Sequence, residues 1–173
     1  MAEPTFQVII DETAIAARVD ALAETLAREV TDGWTVVALL QGAMPFATDI
    51  LRALARRGVH PILDSLWLES YRDAQESSGK VVVRADLSRS VEGRPVLILD
   101  DVFDSGRTIA FARAHLAAKG ATRTSACAFV RKPSARNEPI DHIGFDAPDV
   151  FLVGYGMDVS GRYRGLPYVG SVA

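Results

Sequence analysis

The chain contains very little cysteine, which limits both its fold and its setting. Cys127 is the single cysteine among 173 residues, so an intrachain disulfide is impossible and a reducing compartment is expected. Cys127 lies in the apolar run SACAFV, which predicts a small buried side chain rather than a reactive thiol. A disulfide-stapled fold is therefore excluded.

Long apolar runs and an excess of basic charge are also missing. No apolar stretch approaches the roughly 18 residues that a membrane-spanning helix needs. The first residues, MAEPTFQVII, lack the basic start and apolar core of a signal peptide. The formal net charge is −3, so the overall field of the protein does not attract nucleic acid or an anionic membrane. We expect a soluble, cytoplasmic protein that has neither a nucleic acid nor a membrane as its partner.

Short apolar runs alternate with amphipathic helical patterns along the whole chain. This alternation predicts one α/β domain over residues 1–173, with a mainly parallel sheet. The runs at 60–71 and 81–85 flank a polar segment and predict an antiparallel excursion from that sheet. The remaining strands are predicted at 6–10, 35–40, 96–99, 124–130 and 150–155, and the helices between 11 and 33, between 43 and 58, and from 108 to 119.

The most informative stretch is VLILDDVFDSGRTI, residues 96–109. A strand with the composition of a core strand leads directly into Asp100 and Asp101, although burying a carboxylate without a partner is unfavourable. In parallel sheets, ligands bind beyond the carboxyl ends of the strands. The acidic pair, followed by Asp104, therefore indicates a binding site rather than solvated charges.

The residues after Asp104 predict a phosphate-binding turn. Amide groups at a helix start are unpaired, and the helix dipole there favours an anion. Gly106 allows close approach of the backbone, while Ser105 and Thr108 add hydroxyl donors. The nucleoside-triphosphate loop G-x-x-x-x-G-K-[ST] is absent, and the only G-x-G, residues 154–156, is more typical of a turn. A phosphate site beside vicinal carboxylates suits a sugar phosphate, with its hydroxyls or an associated Mg²⁺ on the acids.

This stretch resembles the signature of the type I phosphoribosyltransferases, which bind 5-phosphoribosyl-1-pyrophosphate. Four further segments resemble the hypoxanthine-guanine phosphoribosyltransferases: LLQGAMPF (39–46), ESYRD (69–73), FVRKP (129–133) and DVFLVGYGMD…RYRGLPY (149–168). The resemblance implies the type I fold, with a small hood formed by the terminal segments. It also implies Mg²⁺-dependent purine salvage that makes IMP or GMP from hypoxanthine or guanine, and a homodimer or homotetramer.

The resemblance also implies a role for individual residues. Asp104 is the implied catalytic residue, which handles the N7 proton of the purine. Ribose and phosphate binding is implied for Asp100, Asp101, Ser105, Gly106, Arg107 and Thr108, and pyrophosphate binding for Gln41, Gly42 and Arg164. Purine binding is implied for Lys132, Phe151, Leu152 and Asp158, and Mg²⁺ ligation for Asp100, Asp101 and Asp158. Ser70 and Tyr71 begin the loop implied to close over the reacting centre, which continues through the polar segment 72–80.

Several positions depart from the family pattern. Gln41 stands where Lys is usual, in a loop that often contains a non-proline cis peptide; we expect donor binding to survive the loss of this cation. Asp100 stands where Glu is common, and Val-Ser-Gly follows Asp158 where relatives tend to have an aromatic residue and Glu. Arg131 is an alternative to Lys132 as the residue facing the base.

Alternative interpretations remain open from the residues alone. Phe151 also suits an ordinary core, and Lys132 a solvated loop. Two other functions on this fold are a xanthine-preferring phosphoribosyltransferase and a nucleotide-sensing, RNA-binding regulator. The net charge of −3 and the presence of Lys132, Phe151, Asp158 and Arg164 together argue against the regulator.

Overall fold

The computed structural model of the protein describes residues 5–71 and 80–172. Its helices are α1 (Glu12–Leu26), α2 (Met44–Ala55) and α3 (Arg107–Ala118), with a short 3₁₀ helix at Pro133–Ala135. Its strands are β1 (Phe6–Ile10), β2 (Thr35–Leu40), β3 (Ile62–Tyr71), β4 (Lys80–Ala85), β5 (Pro95–Phe103), β6 (Arg123–Arg131), β7 (His142–Asp146), β8 (Leu152–Val153) and β9 (Val169–Val172).

The central sheet has six strands in the order β4-β3-β2-β5-β6-β7. All neighbouring pairs are parallel except β3 with β4, which confirms the predicted antiparallel excursion. Alternate residues of β2 serve opposite cores: Val36 packs in the core that contains α1 and α2, and Val37 in the core that contains α3. Helices on both faces explain why this strand is a continuous apolar run.

A second, antiparallel sheet of order β1-β9-β8 is built from the two ends of the chain. It is the small hood that the resemblance implies. The prediction of a strand over 150–155 is wrong at both ends, because only Leu152–Val153 is extended and positive φ angles begin at Gly154. The strands β7 and β9 were not predicted.

Local sequence signals explain where the helices begin and end. The Asp11 carboxylate accepts a hydrogen bond from the Ala14 amide at 2.8 Å, which caps α1 as predicted. Gly58 and Gly120 follow α2 and α3 with φ of +75° and +85°, a conformation that favours glycine. Cys127 is fully buried, as predicted, and burial raises the pKa of its thiol. Within residues 5–71 and 80–172, no helix is long and apolar enough to span a membrane.

Candidate active site

Three neighbouring parallel strands end at one edge of the central sheet and deliver most of the expected site residues there. The loop Gln41–Gly42 follows β2, the acidic pair lies near the end of β5, and Lys132 follows β6. The register pairs Asp100 with Ala128 and Phe103 with Arg131. Distant segments of the sequence thus converge because β2, β5 and β6 run in the same direction.

One carboxylate of the acidic pair is buried, and the other is more accessible. Asp100 is only 6% exposed, and one oxygen of its carboxylate accepts a hydrogen bond from the Asp101 amide at 3.0 Å. Burial, together with the neighbouring Asp101 charge, raises the pKa of Asp100 well above its ordinary value. Holding two carboxylates this close costs stability, which is typical of a site that binds a cation or a donor group.

The loop after β2 lies directly against the second acid. An ideal Cβ on Gly42 would lie 1.8 Å from Oδ2 of Asp101, so no larger residue fits there without displacing that carboxylate. The peptide bond between Leu40 and Gln41 is cis, as expected from the family resemblance. Gln41 itself is exposed, whereas Gly42 is buried. The backbone of this loop, rather than its side chains, therefore approaches the acidic pair.

The turn after β8 packs against the other side of the same loop. An ideal Cβ on Gly156 would lie 1.8 Å from the Gly42 carbonyl oxygen, and φ of Gly156 is +103°. The Gly156 carbonyl in turn accepts a hydrogen bond from Nη1 of Arg164 at 2.6 Å. Nη2 of Arg164 pairs with Oδ1 of Asp158 at 2.6 Å, and the Gly161 amide donates to Oδ2 of Asp158 at 2.6 Å. Asp101, the Gly42 loop, the Gly156 turn and the Arg164–Asp158 pair therefore form one continuous contact chain.

The predicted phosphate turn lies at the start of α3. Gly106 adopts φ of +71°, and α3 begins at Arg107 without a side-chain cap. The amides of the first turn thus have no acceptor within the helix or from a capping side chain. Ser105 and Arg107 are exposed, and Gly106 and Thr108 are half-buried. This turn has the open donors that a phosphate requires.

Asp104 lies between the acidic pair and the phosphate turn. Its Oδ1 accepts a hydrogen bond from the Ser134 hydroxyl at 2.5 Å, and its backbone carbonyl oxygen lies 2.8 Å from the same hydroxyl. The Phe103 carbonyl accepts a hydrogen bond from the Lys132 amide at 2.9 Å. Ser134 was not among the predicted site residues; its position two residues after Lys132 is the only sequence signal for it.

Two adjacent basic residues, Arg131 at the end of β6 and Lys132 directly after it, were alternatives for facing the base, and their contacts differ. Arg131 makes two contacts with the Asp146 carboxylate, at 2.7 and 3.1 Å, on the neighbouring strand β7. The Lys132 ammonium instead donates a hydrogen bond to the Val150 carbonyl, next to Phe151. Phe151 is 63% exposed, which excludes the ordinary core position, while the next residue, Leu152, is buried in β8. Lys132 and an uncovered aromatic ring therefore lie together.

Not every predicted residue is brought into this arrangement. The backbones of Ser70 and Tyr71 end β3 and pair with β4, and the segment 72–79 lies outside the described residues. No group of three or more metal-ligating side chains occurs within residues 5–71 and 80–172. A divalent cation held here would therefore take a few carboxylate oxygens and complete its shell from a substrate or water.

Comparison with known proteins identifies the family. Residues 8–160 match the model of the phosphoribosyl transferase domain. The hypoxanthine-guanine phosphoribosyltransferase of Bacillus subtilis (strain 168) is 36% identical over 167 residues, which cover 95% of this chain and 91% of that protein. The hypoxanthine phosphoribosyltransferase of Escherichia coli (strain K12) is 35% identical over 173 residues, covering 97% and 96% of the two chains.

Solved structures agree with the sequence comparison. A crystal structure of a hypoxanthine-guanine phosphoribosyltransferase from Bacillus anthracis has a TM-score of 0.87 and 30% identity to this protein, covering 99% of this chain and all of the other. The chain belongs to the phosphoribosyltransferase family, in its hypoxanthine-guanine group.

Proposed function

We propose that this protein is a purine-salvage enzyme that transfers the 5-phosphoribosyl group from 5-phosphoribosyl-1-pyrophosphate to hypoxanthine or guanine. The products are IMP or GMP and pyrophosphate. The proposal rests on the contact chain from Asp101 through Gly42 and Gly156 to Arg164, with a phosphate turn that begins at Ser105, four residues after Asp101. This arrangement supports binding of one ligand that has phosphate at one end and diphosphate at the other.

The sugar-phosphate half of the donor fits the end of β5 and the start of α3. The 5′-phosphate would be bound by the amides and hydroxyls of Ser105, Gly106, Arg107 and Thr108, where the helix dipole favours an anion. Asp100 and Asp101 would accept hydrogen bonds from the ribose hydroxyls. Binding at both ends would hold the anomeric carbon between the acids and the loop at Gly42, which would lower the entropic barrier to transfer.

The pyrophosphate half fits the loop after β2 and the turn after β8. Amides at Gln41 and Gly42 would donate to the diphosphate, and the planar guanidinium of Arg164 suits phosphate oxygens. In the structure, Arg164 pairs with Asp158 at 2.6 Å. Donor binding would therefore replace this contact with contacts between Arg164 and the phosphate oxygens. As the bond from the anomeric carbon to pyrophosphate breaks, positive charge develops on the ribose, and the nearby carboxylates stabilise it.

We also propose Mg²⁺ as the cofactor, bound by at most two protein carboxylates at a time, because the described residues contain no group of three metal-ligating side chains. Asp100, Asp101 and Asp158 offer the carboxylate oxygens that this ion prefers, and the donor's phosphates and hydroxyls would supply further oxygens. When bound, the ion would neutralise the leaving pyrophosphate. The buried Asp100 carboxylate beside Asp101 supports this proposal, because a cation removes the repulsion that this pair otherwise carries.

The purine base would bind at the segment after β6 and the segment that leads into β8. Lys132 would donate to the 6-oxo group, Phe151 would stack on the base, and the backbone at Leu152 would read its edge. Asp158 would complete the purine pocket. As the bond between N9 and the anomeric carbon forms, the N7 proton passes to the Asp104 carboxylate.

Closure of the site and assembly of the protein complete the proposal. Ser70, Tyr71 and the segment that follows them would close over the site and exclude water from the cationic centre. We also propose one domain over residues 1–173, a cytoplasmic location and a homodimer or homotetramer. An exposed apolar groove lined by Leu40, Met44 and Leu63 supports self-association.

The test of this proposal is a steady-state assay with the donor, Mg²⁺ and each of four bases. We expect turnover with hypoxanthine or guanine and little with adenine, because Lys132 would donate to an oxygen at position 6. Both bases need measuring, because the Bacillus subtilis relative is named for hypoxanthine and guanine, whereas the Escherichia coli relative is named for hypoxanthine alone. Preference for xanthine would support the alternative enzyme, and no turnover with any 6-oxopurine would favour a nucleotide-sensing regulator.

A further inference from the structure

The Ser134 hydroxyl lies at the contact between the proposed acid–base residue and the purine-reading segment. It is 2.5 Å from Oδ1 of Asp104 and 2.8 Å from the Asp104 backbone carbonyl. A hydroxyl has one proton, so it donates to one of these oxygens at a time. The charged carboxylate is the stronger acceptor, and the shorter distance is to its oxygen.

The backbone around Ser134 holds the hydroxyl in this position. Pro133 restricts the preceding Lys132 to an extended conformation, with φ of −80° and ψ of 155°, and begins the 3₁₀ helix that contains Ser134. The Lys132 amide is bonded to the Phe103 carbonyl at 2.9 Å. On the other side, Ala135 is fully buried in the same core as Phe103. The residues on both sides of Ser134 are thus held in place, which keeps Ser134 in contact with the turn that carries Asp104.

We propose that Ser134 is a positioning residue that orients the Asp104 carboxylate toward the purine. The inference rests on the proposed acid–base role of Asp104. Fixing the plane of a carboxylate on an exposed turn removes rotamers that cannot accept the N7 proton. Since Ser134 lies two residues after Lys132, the same short segment sets the base-reading ammonium and the orientation of the proton acceptor.

A merely structural role for Ser134 makes a different prediction. If the hydroxyl mattered mainly through the Asp104 backbone carbonyl, its loss would disturb the turn that leads to Gly106. Donor binding would then weaken, and the KM for 5-phosphoribosyl-1-pyrophosphate would rise. A positioning role instead lowers kcat and leaves that KM unchanged, because it acts only when the proton moves.

The first measurement compares three variants in steady-state kinetics. We expect Ser134→Ala to lower kcat by about 10-fold, the scale of one hydrogen bond to a charged group. Ser134→Thr retains the hydroxyl and should restore most of kcat. Asn137→Ala, an exposed position of the same loop, is the control and should match the unsubstituted enzyme.

The second measurement is a double-mutant cycle with Asp104→Asn. If Ser134 acts through the Asp104 carboxylate, adding Ser134→Ala to Asp104→Asn should change kcat by no more than about 2-fold. A full 10-fold further loss, an unchanged kcat in Ser134→Ala, or a rise confined to the donor KM would each overturn the positioning role while the proposed function stands. No turnover by the unsubstituted enzyme with any 6-oxopurine would overturn both.

Discussion

At the scale of single residues, the site depends on two glycines that no larger residue can replace as much as on its charged side chains. Gly42 and Gly156 each have less than 2 Å of room for a Cβ, against Asp101 and against the Gly42 carbonyl. Charged side chains can be recognised in a sequence, whereas such close backbone approaches cannot. The glycines bring the acidic pair and Arg164 into one chain of contacts.

Gly42→Ala should therefore disable the site without unfolding the protein. The added methyl group must displace the Asp101 carboxylate, and a shift of about 1 Å in a reacting group can cost 10²-fold in rate. We expect kcat/KM for the donor to fall by that order. Gly33→Ala is the control, because its Cβ would meet nothing nearer than Thr31 Oγ1 at 3.8 Å. Equal activity of the two variants would refute the proposed contact.

Asp100→Asn should make the ligand-free protein more stable while it weakens donor binding. Burial and the Asp101 charge raise the pKa of Asp100, so its ionised form destabilises the fold above the pKa of an unfolded aspartate. Removing the charge should raise Tm by about 2–4 °C at neutral pH, as about 1 kcal/mol does in a chain of this size. The exposed Asp149→Asn is the control for thermal unfolding, and a lower Tm for Asp100→Asn would contradict the account.

At the scale of elements, β5 with the turn to α3 was predicted well from the sequence. Its strand, acids, glycine turn and helix start are contiguous, and α3 begins within one residue of the prediction. The strands β7 and β9 were not predicted, because they are only five and four residues long. β9 pairs with β1 at the opposite end of the chain, and Ser134 contacts a residue 30 positions away. Local pattern carries no information about such contacts.

The connection from β4 to β5 depends on a buried carboxylate on β3. Asp64 accepts hydrogen bonds from the amides of Ser65, Ser88 and Arg89 at 2.8, 3.2 and 2.9 Å, and from the Ser88 hydroxyl at 3.1 Å. Burial alone would raise the pKa of Asp64, but these hydrogen bonds outweigh it and lower the pKa below its ordinary value.

Asp64→Asn should destabilise the protein by about 1–3 kcal/mol at pH 7, because charge-assisted hydrogen bonds are lost. A lowered folded pKa contributes stability above the unfolded pKa of about 3.9, and this contribution is lost as pH falls through the folded value. The difference in unfolding free energy between the two proteins should thus shrink below about pH 4. Glu92→Gln, an exposed position, is the control; a difference that grows in acid would contradict the assignment.

At the scale of the whole molecule, exposed apolar side chains on β3 and at the start of α2 support the proposed oligomer. Met44, Leu63 and Trp67 are 54%, 51% and 40% exposed, and Met44 and Leu63 line one groove. Contiguous exposed apolar surface is typical of a protein interface. Because this groove adjoins the loop at Gln41–Gly42, association would also support the pyrophosphate end of the site.

Leu63→Glu should shift the protein toward the monomer in analytical ultracentrifugation, because a charge in the groove opposes its burial. Val8→Glu is the matched control, since Val8 is also 51% exposed but lies in the hood. The unsubstituted protein should sediment as a dimer or tetramer. A monomer at micromolar concentration, or an oligomer unaffected by Leu63→Glu, would count against this interface.

Phosphoribosyl transfer to a 6-oxopurine is proposed to occur at the edge formed by β2, β5 and β6. Its most direct test is to incubate the protein with 5-phosphoribosyl-1-pyrophosphate, Mg²⁺ and hypoxanthine or guanine, and to quantify nucleotide and pyrophosphate by chromatography. We predict equimolar IMP or GMP and pyrophosphate, with the rate reduced roughly 10²–10⁴-fold in Asp104→Asn. Pyrophosphate release without nucleotide, or an unchanged rate in Asp104→Asn, would contradict it.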